Sequence, residues 1–347
     1  MSEKLTPYCS ECDEAFAFPE PAPVARRDFL RAVGGATAAV ALSSAALRAE
    51  TPAKPARPAE ELIRELHASL SDTQKARVML PYDHGAAKNR RPTRMGMYND
   101  AINNIRIGEV YTKAQQELVD RIVKSMCSGD EGYRQISRLG RWDASKSFDR
   151  CGALIFGDPT AGKKFSFVFS GHHLTIRCDG DSEEGAAFGG PIYYGHSPQG
   201  YSRGNVFNYQ TRSVVKVYQA LSGKQREEAT VPRGNPGEMD DSVRFRKKAE
   251  ERPGIAFAGL SKDQQALVEE VMRTVLSPYR KEDVDEVMAI IKKNGGMQKI
   301  KLAFYPDGNM DDKEPWHFWR LEGPGFVWNY RVLPHVHTYV NISSKLV

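Results

Sequence analysis

The chain has 347 residues, a formal net charge of +5 and 27% charged side chains. That is ordinary globular composition, with length for one large or two medium domains, and it sets aside fibrous and wholly disordered classes. The excess positive charge is spread along the chain, so no nucleic-acid partner is expected.

Residues 1–49 read as a leader. Arg26-Arg27-Asp28-Phe29-Leu30-Arg31 is a twin-arginine pattern, and Val33 to Ala46 follow as a mild, Ala-rich apolar run. The run is too short for a dependable transmembrane helix. The pattern predicts passage through the twin-arginine translocase by way of Arg26 and Arg27. The mature chain is therefore expected outside the cytoplasm, in the periplasm or beyond. Membrane attachment is expected only if the signal stays uncleaved. Cys9 and Cys12 form a C-x-x-C, at most half a zinc site. Cys127, Cys151 and Cys178 are odd in number, which argues against a disulfide framework.

Residues 50–59 form a Pro/Ala linker, and a first unit spans residues 60–210. Glu60 to Leu70 reads as a helix, and Ser71 and Thr112 sit where helix caps are expected. The densest basic stretch, Lys88 to Arg94, reads as a solvated loop in preference to a site for an anionic glycan or phosphate. A short helix is predicted around Tyr133 to Leu139. Strands follow at Cys151 to Phe156, Phe165 to Ser170 and His173 to Cys178, with one more near Ile192.

The pattern then begins again over residues 211–347. LSDTQKARVMLP at Leu70 is echoed by LSGKQREEATVP at Leu221, and YTKAQQELVDRIVKSMCS at Tyr111 by LSKDQQALVEEVMRTVLS at Leu260. CGALIFGDP is echoed by IKLAFYPDG at Ile300, and FSFVFSGHHL by HFWRLEGPGF, with Gly171 opposite Gly323. Four collinear echoes predict a duplication. The expected fold is α+β, two pseudo-repeated units of helices packed on antiparallel strands.

Five of the eight histidines lie in two neighbourhoods, Gly171-His172-His173 and the stretch from Trp316 to His337. His335 and His337 are two apart and share a face if extended, a spacing that suits two imidazoles on one metal. His172 and His173 point apart if extended, so one of them is expected inward. Two function classes follow. The first is an exported metal-dependent enzyme, hydrolase-like, with His173, His335 and His337 as ligands to zinc or iron and His172, His173 and His317 as catalytic candidates. The second is a non-catalytic exported protein that binds a small molecule or glycan, with structural histidines.

Other motifs fall away. Gly157 to Lys163 matches G-x-x-x-x-G-K, but Lys164 stands where a P-loop needs Ser or Thr, and a strand follows. Asp307 to Asp311 begins like a calcium loop, but Asp312 replaces the glycine and Phe318 the closing glutamate. No H-E-x-x-H or G-x-S-x-G occurs, and Cys178 reads as packing.

GHHL, the aromatic-His strand with Gly323-Pro324 after it, and the closing His335-x-His337-Thr338 together resemble the bacterial domain-of-unknown-function 3500 family, from about residue 60 to 342. The resemblance implies a relative and no reaction. In that family an acidic residue and an Asp-Asn pair precede H-x-H. Asn329, Tyr330 and Arg331 stand there in this chain, a departure that implies an altered site.

Overall fold

The computed structural model describes residues 58–345 apart from 89, 233, 247, 307–310 and 312. The twin-arginine segment, the Cys9–Cys12 pair, nearly all of the linker and most of the acidic turn at Asp307 therefore lie outside the described residues.

Four S/T-x-x-Q sequences set the helical frame. Ser71 and Gln74 open α2 (Asp72–Val78), which follows α1 (Pro58–Ser69). Thr112 and Gln115 open α4 (Lys113–Ser125), after the single turn α3 (Ile107–Val110). Each Ser or Thr accepts from the backbone N–H three residues on, and each Gln side chain accepts from the cap's own N–H, so two orphan donors are satisfied at once. The second part of the chain repeats the device. Ser222 and Gln225 open α7 (Gly223–Ala229), after α6 (Asn208–Ala220), and Ser261 and Gln264 open α9 (Lys262–Leu276). The glutamines also pair between helices. Gln74 Nε2 donates to Gln115 Oε1 at 2.7 Å, and Gln225 Nε2 to Gln264 Oε1 at 3.0 Å.

The strands form one ten-stranded sheet. β1 (Met79–Leu80), β2 (Gly152–Gly157), β3 (Phe165–Gly171), β4 (Leu174–Cys178) and β5 (Ile192–His196) come from the first part. β6 (Ile255–Ala256), β7 (Lys301–Tyr305), β8 (Phe318–Gly323), β9 (Phe326–Arg331) and β10 (Val336–Ile342) come from the second. The order is β1-β2-β3-β4-β5-β10-β9-β8-β7-β6, so β5 and β10 meet in the middle, antiparallel. The α+β class read from the sequence is the class observed. All pairings are antiparallel except β1 with β2.

The two sheet faces differ. Phe167, Phe169, Ile176, Leu174, Tyr194, Trp328 and Tyr330 belong to the main apolar core, which also holds Ile63, Val119, Val214 and Val271 of the helices. Removing that much apolar surface from water is the dominant stabilising term. The opposite face carries Thr175, Tyr193, His337, Tyr339, Asn329, Arg331, Arg320 and Glu322 in register. These groups are buried too. Their cover is irregular chain: Tyr98 N–H donates to Thr175 Oγ1, and Arg246 N–H donates to Glu322. Buried polar groups need partners, and the loops supply them. α10 (Lys281–Lys293) and α6 were not anticipated from the sequence. α6 is rich in Val and Thr, which blurs helical and strand readings.

Candidate metal centre

The site is built on one row across the middle of the sheet. His173 leads into β4, Gly195 lies in β5, His337 in β10 and Arg331 in β9. Gly195 N–H donates to the His173 carbonyl at 2.8 Å, Gly195 pairs with His337, and His337 pairs with Arg331. A Cβ on Gly195 would lie 2.2 Å from the Val336 carbonyl oxygen and 3.2 Å from His173 Cβ. With glycine there, nothing separates the rings on either side. His173 and His337 stand with ring centroids 4.6 Å apart, and His173 and His335 at 4.5 Å.

His173 reaches this row through the β3–β4 corner, a two-residue turn between Gly171 and Leu174. Its φ is 51°, left-handed, an uncommon state for a residue with a side chain. The turn brings His172 and His173 side by side, centroids 3.8 Å apart. The expectation that they point apart assumed extended backbone and does not hold at this corner. His335 immediately precedes β10, and its Nε2 lies 2.8 Å from His337 Nε2. One candidate ligand atom from each of His173, His335 and His337 lies within 4.8 Å of the others, a group able to hold a metal ion. All three histidines are buried.

Two carboxylates set the far nitrogens. Asp143 Oδ2 is 2.8 Å from His173 Nδ1, and Glu238 Oε2 is 3.1 Å from His337 Nδ1. Tyr339 OH donates to the same Glu238 oxygen at 2.5 Å, and Arg331 Nη1 donates to Oε1 at 2.8 Å. Burial pushes the Tyr339 hydroxyl well above its usual range, and Glu238 pushes it further, so it stays a donor. The Nδ1 atoms of His173 and His337 are thus placed as donors to carboxylates, which leaves each Nε2 with its lone pair. An imidazole anchored in this way is the usual outer arrangement of a metal-bound histidine. Arg331 Nη2 takes up the remaining capacity, at 2.9 Å from His335 Nε2 and 2.8 Å from His337 Nε2.

Electrostatics keep the imidazoles neutral. Burial lowers His173 and His337 well below the ordinary histidine value, with the Arg331 charge adding to the effect at His337. His335 is pushed down to about 2 by burial, then by His173 and Arg331. At Asp143 burial acts upward, but the His172 and His173 imidazoles and the Arg138 charge outweigh it and hold the carboxyl well below its usual range. A neutral histidine beside an ionised carboxylate is the form that binds cations.

Asp143 sits in a strained turn. Trp142 (φ 57°), Asp143 (φ 53°) and Lys146 (φ 69°) are all left-handed. The Trp142 ring packs against Phe148 and Phe169 and fixes that turn. Non-glycine residues held in this region cluster at functional sites.

The other predicted residues are placed as follows. His172 borders the cluster, its Nδ1 3.8 Å from Asp143 Oδ1. Asp143, His172 and His173 form a second group able to hold a metal, two imidazoles and a carboxylate. His317 belongs to neither group. Its Nε2 lies 2.5 Å from the Leu333 carbonyl oxygen. Asp143 and Glu238 escaped the sequence reading of the site, whereas Arg331 enters that reading only as a departure from the family's acidic residues. Asp143 and Glu238 lie in irregular segments, 30 and 99 positions from the histidines they touch. Tyr339 was detectable, because it continues the alternation of His335 and His337.

Fold and site together define an α+β protein with a buried three-imidazole centre backed by two carboxylates. The chain belongs to the family described as "Protein of unknown function (DUF3500)", whose profile matches residues 52–343. No curated protein and no solved structure matches the chain. Among the described residues, no helix is long and apolar enough to cross a membrane.

Proposed function

We propose that this chain is an exported metal-dependent enzyme of hydrolytic type, with His173, His335 and His337 as the ligands of a divalent cation of the zinc class. The observation that carries this reading is the pair of carboxylate anchors. Asp143 and Glu238 hold two of the three rings by Nδ1, and one candidate ligand atom of each of the three rings lies within 4.8 Å of the others. Three neutral nitrogens suit zinc, and a catalytic zinc keeps its fourth position for water. Bound there by His173, His335 and His337, such a cation would supply Lewis-acid chemistry at neutral pH. The chain's own groups do the rest. Tyr339 and Arg331 steady Glu238, which in turn holds His337.

An iron ion on Asp143, His172 and His173 is the variant, since two imidazoles and a carboxylate suit that metal. The three-histidine set is favoured because Asp143 already accepts from His173. The test compares zinc-loaded and chelator-stripped protein on a panel of ester, amide and phosphoester substrates. Turnover restored by zinc supports the enzyme reading, and no turnover in either form refutes it.

A non-catalytic binding protein is the second reading, and the Arg331 contact favours it. A guanidinium donating to two imidazole lone pairs satisfies them without any metal.

Export is part of the proposal and rests on Arg26-Arg27 alone. With both replaced by lysine, the protein should stay in the cytoplasm, and normal export of that variant contradicts the idea. We also infer that residues 60–210 and 211–347 arose by duplication. Support comes from the repeated capping boxes and from matching bonds: Ile107 N–H to the Cys151 carbonyl, and Phe257 N–H to the Ile300 carbonyl.

A further inference from the structure

β4 and β5 pair only at Leu174 with Tyr194 and Thr175 with Tyr193. Beyond those pairs Arg177, Cys178 and Asp179 line a cavity of about 490 Å³, with Glu60, Tyr279 and the start of α10 on its other sides. That volume is in the range of small-molecule sites. Its walls include none of the three clustered histidines.

The buried polar groups of this cavity carry both signs: the Glu60 and Asp179 carboxylates, each 6% exposed, share its lining with Arg177 and Tyr279. Arg177 and Tyr279 are each 3% exposed. Arg177 Nη2 donates to the Gly96 carbonyl, but Nε and Nη1 are buried without a hydrogen-bond partner, and so is the Tyr279 hydroxyl. Among the described residues Arg177 makes no ion pair with a carboxylate. A buried, unpaired guanidinium is expensive to keep, and it sits beside a second unused donor in the same cavity. The mouth is acidic. Asp181, Glu282 and Glu286 are exposed there, and Arg280 is already tied to Asp283 at 2.8 Å. A simple anion meets the acids of this lining, and a simple cation leaves the Arg177 and Tyr279 donors unused. A molecule with a carboxylate at one end and an ammonium at the other satisfies both.

We propose that this cavity binds a small zwitterion of the amino-acid class, its carboxylate on Arg177 and the Tyr279 hydroxyl and its ammonium toward the acidic mouth. The proposal is independent of the metal centre. Full-length protein is titrated with each proteinogenic L-α-amino acid by thermal shift and calorimetry, with acetate and methylammonium as the two separated halves. At least one amino acid binds with a Kd below about 1 mM, and neither half does. Tyr279→Phe keeps the ring and removes only the hydroxyl. It should weaken binding about tenfold, the order expected for one hydrogen bond to a charged group. Arg177→Gln should abolish binding, and where that variant fails to fold, Tyr279→Phe decides. Three results overturn the proposal: no amino acid binding up to about 10 mM, acetate alone binding as well as any amino acid, or unchanged affinity in Tyr279→Phe. Any of them leaves a water-filled cavity only.

Discussion

Two hairpin corners of the same sheet solve one backbone problem differently. Between β3 and β4 the chain runs Gly171-His172-His173-Leu174, and between β8 and β9 it runs Gly323-Pro324-Gly325-Phe326. Both corners need a left-handed residue in the third place: His173 at φ 51° and Gly325 at φ 75°. Gly325 takes that state freely, whereas a residue with a Cβ is disfavoured there by about 1–2 kcal/mol. The strained corner is the one whose ring faces His335 and His337. The relaxed corner carries no imidazole. Strain tolerated at one corner and avoided at the other marks where the side chain matters more than backbone ease.

The comparison breaks most sharply at Gly195. Gly195→Ala drives a Cβ into the Val336 carbonyl, and this contact is backbone, so nothing flexible yields. We expect a loss of about 3 kcal/mol or more in denaturant unfolding. An Ala variant as stable as wild type removes the argument that glycine spaces the His173 and His337 rings.

Asp143→Asn comes next. It keeps shape but loses the charge that holds His173 by Nδ1. Metal affinity should fall roughly 10- to 100-fold, as for other outer-shell carboxylates. Unchanged affinity in a competition assay with a chelating dye makes Asp143 a mere turn residue.

Acid should destabilise the imidazole corner selectively. The folded-state values of His173, His335 and His337 lie below the unfolded value of 6.5. The unfolded chain therefore binds more protons below pH 6.5, and stability falls as pH falls through that value. Each such group contributes up to about 2 kcal/mol between pH 6.5 and 5. His335→Gln with His337→Gln should flatten that slope in chelator-treated protein. An equally steep slope in the double variant assigns acid sensitivity elsewhere.

The smallest effect belongs to the relaxed corner. Gly325→Ala should cost about 1 kcal/mol and leave metal content as it was. A change in metal content there means that the two corners are not separable.

How far the sequence reaches is clear from the same corners. The alternation His335-x-His337-x-Tyr339 puts three groups on one face whatever the partner strand, so it is legible. The capping boxes at Ser71, Thr112, Ser222 and Ser261 are legible too, because they are local. The register that sets Gly195 between His173 and His337 is tertiary, and no local pattern announces it. Asp143 and Glu238 arrive from irregular chain with no periodicity, so the carboxylates the site needs were invisible. His317, whose Nε2 lies at the Leu333 carbonyl, shows the limit of an aromatic-rich strand, which looks the same whether its histidine meets a metal or a carbonyl.

The central claim is that His173 and, from a distant part of the chain, His335 and His337 hold one cation. The direct measurement is elemental analysis of purified, zinc-equilibrated protein, wild type against His335→Ala with His337→Ala, with folding of both checked by circular dichroism. The account predicts close to one zinc per wild-type chain and essentially none in the folded double variant. Equal metal in both, or none in wild type, contradicts it and leaves Arg331 and the imidazoles as a hydrogen-bonded network.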